Sequence, residues 1–197
     1  MDPQTELIDY EAVRRIAFKE RPRMIICGAS AYPRVIDFAQ FQEIAKDVGA
    51  FLLADIAHVA GLVAGGVYPS PVPYADFVTM TSYKTLRGGR GGIILCRKKY
   101  AQKIDAAVFP GVQGSMHAHL MAGKAVTFKL ASSESFKNYA RQVVTNARAL
   151  ADALRGRDYR IVSGGTDSHL VLVDLSDQGM TGAQAQGFLE EVNIICN

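Results

Sequence analysis

The sequence has few cysteines and little net charge. Only three cysteines, Cys27, Cys96 and Cys196, occur in its 197 residues, and they lie far apart. An odd number of scattered thiols without a CxxC pair argues against a disulfide framework. We therefore expect buried or unreactive thiols in a reducing compartment. The formal charge of +3 at pH 7 gives no argument for nucleic acid or an anionic membrane as a partner.

Long apolar runs and metal-binding patterns are also missing. The longest apolar stretch, residues 51–67, contains Asp55 and His58, so it is poorly suited to span a bilayer. The opening residues MDPQTELIDYE are acidic and lack the apolar core of a signal peptide. His117 and His119 have no carboxylate or cysteine at metal-ligand spacing, so no metal site is expected. These features together predict a cytoplasmic enzyme or a fragment of one.

Apolar runs of strand length alternate with helical patterns in the first half of the chain. The runs occupy residues 24–28, 51–55, 77–81 and 93–96. Helices are predicted over 11–21 and 37–47, the second with Asp37 as its N-cap and Gly49 after its end. Such alternation predicts an α/β fold with a mainly parallel sheet. Only a short Gly-rich loop joins the last two strands, so this pair should be antiparallel.

The pattern changes in the last quarter of the chain. Helical patterns continue over residues 98–155, apart from an interruption at 109–114. Three short elements are then predicted, a strand at 169–175, a helix at 182–191 with Thr181 as its N-cap, and a strand at 194–196. We therefore predict a large domain over residues 1–155 and an incomplete small α+β domain over 156–197.

Polar side chains follow three of the predicted strands. Ser30 follows the first, Asp55 ends the second with His58 close behind, and Thr81 and Lys84 follow the third. Ligands bind at the carboxyl ends of strands in open α/β sheets. If these strands are neighbours, the side chains converge on one site.

A lysine and an aspartate at strand ends match the chemistry of pyridoxal 5'-phosphate (PLP). The lysine amine can attack the cofactor aldehyde, and a fixed carboxylate keeps the ring nitrogen protonated. Asp55 follows an apolar run, where a carboxylate normally has a partner. From the pattern alone, Asp55 could equally cap a turn and Lys84 could be a solvated surface lysine.

Two glycine-containing loops are further candidates for anion binding. Residues 87–92 include Arg87 and Arg90, which could bind a phosphate or carboxylate or could be solvated on a flexible hairpin. The backbone amides of residues 109–114 could cradle an anion or simply connect two helices.

Four blocks of sequence carry a more specific signal. They are MIICGASAYPRVIDF, FLLADIAHVAGLVAGGVYPSPVPYADFVTMTSYKTLRGGRGG, AVFPGVQGS and RIVSGGTDSHLVLVDL, in this order. Together they resemble the serine hydroxymethyltransferases, and the resemblance covers essentially the whole chain. It implies a fold-type I PLP-dependent enzyme that moves a one-carbon unit between serine and tetrahydrofolate, leaving glycine. The implied fold is part of the large PLP-binding domain, with a mostly parallel sheet and one antiparallel strand, plus the start of the small domain.

The resemblance also implies roles for individual residues around the cofactor. Lys84 would hold PLP as a Schiff base, and Asp55 would pair with its pyridine nitrogen. Ser30 and His58 would lie at the cofactor ring and its phenolic oxygen. Thr81 would lie by the lysine and the reacting substrate.

Further implied residues lie in the two loops. Arg90 would belong to the active-site loop after the lysine. Gly111 and Gly114 would reach the cofactor phosphate of a neighbouring subunit, so the resemblance implies a homodimer with a shared site. In the loop after Phe109, however, Val112, Ser115 and Met116 replace residues of the usual Gly-rich pattern, and side chains in place of glycine could crowd a phosphate.

Tyr83 departs from the family at a position tied to substrate and reaction specificity. The family usually has histidine before the lysine, and a phenol is larger and titrates far higher than an imidazole. A related PLP-dependent aldolase or transaldolase acting on β-hydroxy amino acids is therefore an alternative.

The family also has further N-terminal and C-terminal parts, the latter with the arginine that binds the substrate carboxylate. We therefore expect a fragment that is inactive alone, with a catalytically inactive truncated paralogue as another alternative.

Overall fold

A mixed sheet of four strands forms the centre of the structure. This computed structural model describes all 197 residues. The strands are β1 (Met24–Cys27), β2 (Phe51–Asp55), β3 (Phe77–Thr81) and β4 (Gly92–Cys96), in the order β1-β2-β3-β4. The first three strands are parallel and β4 is antiparallel to β3. This confirms the predicted α/β fold with one antiparallel strand in a mostly parallel sheet.

Seven α-helices surround this sheet and extend from it. They are α1 (Tyr10–Glu20), α2 (Phe38–Val48), α3 (Ala60–Ala64), α4 (Ala101–Ala106), α5 (Ala118–Ala131), α6 (Glu134–Arg155) and α7 (Gly182–Glu191). The Asp37 side chain accepts hydrogen bonds at the start of α2, and Gly49 ends that helix with a φ of 71°. Thr181 and Gln184 form a capping box at the start of α7. These caps confirm the predicted boundaries, whereas the short helix α3 was not predicted.

None of the helices combines the length and the apolar character needed to cross a bilayer.

Apolar packing against the sheet forms the core. The largest fully buried apolar side chains include Phe38, Ile44, Leu52 and Leu62. Burying one such side chain stabilises the fold by about 1.5–3 kcal/mol, whereas an exposed ion pair contributes about 0–1 kcal/mol. Apolar burial therefore holds the helices on the sheet, and the surface ion pairs contribute little by comparison.

Two strand predictions in the last quarter of the chain are wrong. Of residues 169–175 only β6 (Val173–Asp174) forms a strand, paired antiparallel with β5 (Arg160–Ile161), which was not predicted. Residues 194–196 form no strand, because the chain turns after α7 and the Ile194 N–H donates to the Leu189 carbonyl at 2.9 Å. An apolar run becomes a strand only where another strand lies beside it, and these runs have a two-residue partner or none.

Residues 160–168 pack against the first part of the chain. The Arg160 guanidinium pairs with Glu6 at 2.9 Å. The Thr166 hydroxyl donates to the Pro33 carbonyl at 3.2 Å, and the Asp167 N–H donates to the same carbonyl at 2.9 Å. Since Pro33 lies in the loop after β1, these contacts bring the segment to the carboxyl edge of the sheet.

Candidate active site

The carboxylate of Asp55 is held at the carboxyl end of β2. Asp55 lies opposite Thr79 in the β2–β3 pair, and the Thr79 hydroxyl donates to its Oδ2 at 2.8 Å. The backbone N–H of Ala57 donates to Oδ1 at 2.9 Å. A carboxylate can accept about four hydrogen bonds, and Asp55 is exposed at the sheet edge. It therefore keeps capacity to accept from a further donor.

The turn after β1 lies directly against Asp55. Gly28 has a φ of 153°, and a Cβ at this position would lie 2.2 Å from the Asp55 carbonyl oxygen. Only glycine permits this close approach. Ser30 follows on the same turn and is exposed. Ser30 therefore lies near this edge of the sheet, although it makes no hydrogen bond to the other candidate residues.

Two further threonines join the loop after β2 to the segment that carries Lys84. The Thr81 hydroxyl donates to the Ala57 carbonyl at 3.3 Å. The Thr85 hydroxyl donates to the His58 carbonyl at 2.7 Å and accepts from the Gly61 N–H at 3.0 Å. Lys84 lies between these two threonines in sequence, so its backbone is tied on both sides to the loop that follows Asp55.

His58 lies within electrostatic range of both Lys84 and Asp55. Burial lowers the pKa of His58, the Lys84 charge lowers it further, and the Asp55 carboxylate opposes the shift. The His58 ring also stacks on that of His169, with centroids 6.1 Å apart. The structure thus brings Asp55, His58 and Lys84 to one edge of the sheet, with His169 beside His58.

The glycine-rich loop after Lys84 folds around Ser82. This serine is fully buried, and its hydroxyl lies 2.6 Å from the Gly89 carbonyl and 3.1 Å from the Gly91 carbonyl. The guanidinium of Arg87 lies 4.3 Å from the centroid of the Tyr139 ring. The loop is thus a hairpin with internal hydrogen bonds, and Arg87 stacks on an aromatic ring.

Tyr83 lies between two cationic side chains. Its ring centroid is 5.8 Å from Lys84 Nζ and 4.8 Å from the guanidinium carbon of Arg90. Both distances are within the range of cation–π attraction. The residue that departs from the family pattern therefore contacts both the candidate cofactor lysine and the arginine of the following loop.

Gly111 and Gly114 are apart from this group. Both are exposed in the interruption between α4 and α5. A Cβ at Gly111 would meet only the Ala106 backbone, and one at Gly114 would meet no atom within 4 Å. The structure therefore does not bring either glycine against the Lys84 site of the same chain.

Thr79, Thr85 and His169 were not among the predicted site residues. A signal for Thr79 exists, because it lies two residues before Thr81 and so on the same face of β3. Neither Thr85 nor His169 has such a signal, since their contacts depend on loops that meet only in the folded chain.

The residues of this edge fit PLP in their chemistry. Lys84 offers a primary amine, and Asp55 offers a carboxylate that already has two donors and room for another. His58 adds an imidazole whose lowered pKa favours the uncharged form. These side chains do not themselves supply a phosphate cradle.

The comparison with known families agrees with the fold. The four-stranded sheet, parallel except for β4, is that of the fold-type I PLP-dependent transferases. The family model described as serine hydroxymethyltransferase matches residues 1–197. The chain therefore belongs to the serine hydroxymethyltransferase family, whose members depend on PLP and use tetrahydrofolate.

Proposed function

We propose that this chain binds PLP through Lys84 and serves the transfer of a one-carbon unit from serine to tetrahydrofolate, with glycine and methylene-tetrahydrofolate as products. The main support for this proposal is the hydrogen-bonded Asp55 carboxylate, which lies beside His58 and Lys84. Residues 1–155 would belong to the cofactor-binding domain and 156–197 to the small domain.

Each side chain of the proposed site has a separate task. Bound PLP supplies an electron sink for the negative charge that develops at the substrate carbon. Lys84 Nζ would hold the cofactor, and the Asp55 carboxylate would keep a proton on its ring nitrogen. Ser30 and His58 would orient the ring from the loops after β1 and β2. Thr81 positions the Lys84 segment through the Ala57 carbonyl.

The loop after Lys84 would orient the substrate. Arg90 carries a permanent positive charge and stacks on Tyr83. Tyr83 in turn contacts Lys84. The carboxylates of serine and of tetrahydrofolate are anionic, so a cation in this loop would attract them.

Reductive trapping tests the cofactor assignment. The protein is incubated with PLP, reduced with borohydride and digested, and the modified peptide is identified by mass spectrometry. We expect the label on Lys84, and its loss in Lys84→Ala. Lys19 is exposed on α1, so Lys19→Ala is a matched control that should keep the label. A label on other lysines, or none, would contradict the assignment.

Tyr83 favours a second candidate, a PLP-dependent aldolase or transaldolase on β-hydroxy amino acids. A phenol stacked between Lys84 and Arg90 replaces a group that would titrate near neutrality. Serine cleavage is measured with and without tetrahydrofolate, in the wild type and in Tyr83→His. Strong folate dependence in the wild type supports the hydroxymethyltransferase. Cleavage unaffected by folate, with dependence gained in Tyr83→His, supports the second candidate.

A second copy of the chain is the proposed partner. Helix α5 exposes several large apolar side chains, namely Leu120, Met121, Val126, Phe128 and Leu130. The exposed loop with Gly111 and Gly114 leads into this helix. A homodimer would cover these apolar side chains and let the two glycines approach the phosphate bound in the other copy. Light scattering measures the mass in solution, and a monomer at all concentrations would argue against the shared site.

A further inference from the structure

The imidazole of His169 lies nearly parallel to the His58 imidazole and next to it. The ring centroids are 6.1 Å apart and the ring planes differ by 17°. Offset aromatic pairs with centroids about 4.5–7 Å apart attract each other beyond their burial. His58 lies in the loop after β2, whereas His169 comes from the segment after β5. The stack therefore joins a distant part of the chain to the candidate site.

Buried hydrogen bonds hold the backbone that delivers His169. Ser168 is fully buried, and its N–H donates to the Thr166 hydroxyl oxygen at 3.0 Å. The Thr166 hydroxyl donates to the Pro33 carbonyl at 3.2 Å, and the Asp167 N–H donates to the same carbonyl at 2.9 Å. The loop after β1 thus anchors the three residues before His169. The position of the His169 ring is a consequence of tertiary structure, since no neighbour in sequence supplies it.

One ring nitrogen of His169, Nδ1, is buried without a hydrogen-bond partner. Buried polar atoms without partners are few in folded proteins, so such an atom calls for an explanation. Burial lowers the pKa of His169, and the neighbouring His58 lowers it further. Both shifts favour the uncharged form of the ring.

We propose that His169 is a positioning residue, which fixes the plane of the His58 ring and shields it from water. The Thr85 hydroxyl donates to the His58 carbonyl at 2.7 Å and so fixes the backbone of His58. His169 packs beside the His58 ring. A proton on His58 would add a positive charge beside Lys84 in a partly buried place, and only the Asp55 carboxylate favours it. His58 is thereby kept as a neutral, oriented imidazole.

Histidine titration by NMR tests this role without any cofactor. The chain has four histidines, so single substitutions assign each ring. In the wild type we expect His58 to titrate below its ordinary pKa of 6.5. In His169→Ala its pKa rises toward that value, because water reaches the ring and burial is the largest cause of the lowered pKa. His169→Phe keeps the stack and the exclusion of water, so the rise is smaller.

The controls separate this role from a general effect on folding. His119→Ala removes an exposed imidazole outside the site and should leave the His58 titration unchanged. Circular dichroism checks that each variant is folded, and His169→Gln replaces His169→Ala if the latter fails to fold. An unchanged His58 titration in a folded variant without the ring at position 169 overturns the proposal.

The affinity for PLP tests the consequence for the cofactor, and this part rests on the proposed function. We expect PLP to bind about 2- to 10-fold more weakly to His169→Ala, the range that one aromatic pair supports. His169→Phe should bind close to the wild type. Equal affinities for His169→Ala and the wild type overturn a role of His169 in the cofactor site. If the wild type binds no PLP, the proposed function fails, and the histidine titration still decides whether His169 positions His58.

Discussion

Replacing Gly61 by alanine should force the candidate site apart, although alanine is the better helix former. Helix α3 passes so close to the segment after β3 that a Cβ at Gly61 would lie 2.1 Å from the Thr85 carbonyl oxygen and 2.7 Å from the Leu86 nitrogen. Cβ atoms essentially never approach other atoms within 3.0 Å. Both obstructing atoms belong to the backbone, so a change of rotamer cannot relieve the clash. The segment that carries Lys84 would have to move.

Opposing effects set the magnitude of this change. Alanine is favoured over glycine inside a helix by about 1 kcal/mol. Overpacking a close contact costs about 1–3 kcal/mol, and backbone obstruction places Gly61 at the upper end. Weakening the hydrogen bond from the Gly61 N–H to Thr85, 3.0 Å long, costs about 1 kcal/mol more. We therefore expect a net loss of about 3 kcal/mol in the free energy of unfolding, or about 6–12 °C in the midpoint.

Thermal and urea unfolding measure this loss, with Gly123→Ala as the matched control. Gly123 is exposed within α5, and a Cβ there would meet no atom within 4 Å. The same substitution should therefore stabilise the protein by about 0.5–1 kcal/mol. We also expect less reductive labelling of Lys84 in Gly61→Ala than in Gly123→Ala. If Gly61→Ala matched Gly123→Ala in both stability and labelling, the argument from close packing would be refuted.

Two further substitutions test the hydrogen bonds that the carboxylates of Asp55 and Asp174 accept. Thr79→Val removes the hydroxyl that donates to the Asp55 carboxylate. We expect PLP to bind about 5-fold more weakly, because the freed carboxylate must be ordered on binding at a cost of about 1 kcal/mol. A titration with PLP measures the affinity, and an unchanged value would contradict this expectation. Hydrogen bonds from Ser176, and then from Arg160, lower the pKa of Asp174 from 3.8 to about 2. The unfolded chain therefore binds more protons between these values, so stability from this carboxylate is present above pH 3.8 and is lost as the pH falls toward 2. Unfolding across this window should depend less on pH in Asp174→Asn, and equal slopes in both proteins would exclude the effect.

Local chemistry allowed most of the first part of the fold to be predicted from the sequence. Asp37 and Gly49 bound α2 as predicted, because a side-chain cap and a left-handed glycine act on their own helix. The buried strands were recognisable as continuous apolar runs. The antiparallel β3–β4 pair followed from the length of its loop.

Prediction failed where an element depends on a distant partner. The apolar run at residues 169–175 has the composition of a strand, but β5 offers it only two residues to pair with. Its first part instead carries His169 to the site. Strand formation requires a neighbour to satisfy the backbone, and an isolated run does not reveal whether such a neighbour exists.

The sequence by itself determined that Asp55, His58 and Lys84 follow strand ends, and the order of its motifs identified the family. Only the tertiary structure decided which other side chains contact these three residues. Thr79 reaches Asp55 through the register of β2 and β3, and His169 reaches His58 because its segment is anchored on the loop after β1. Register and loop packing result from the whole core being formed at once, so no local pattern encodes them.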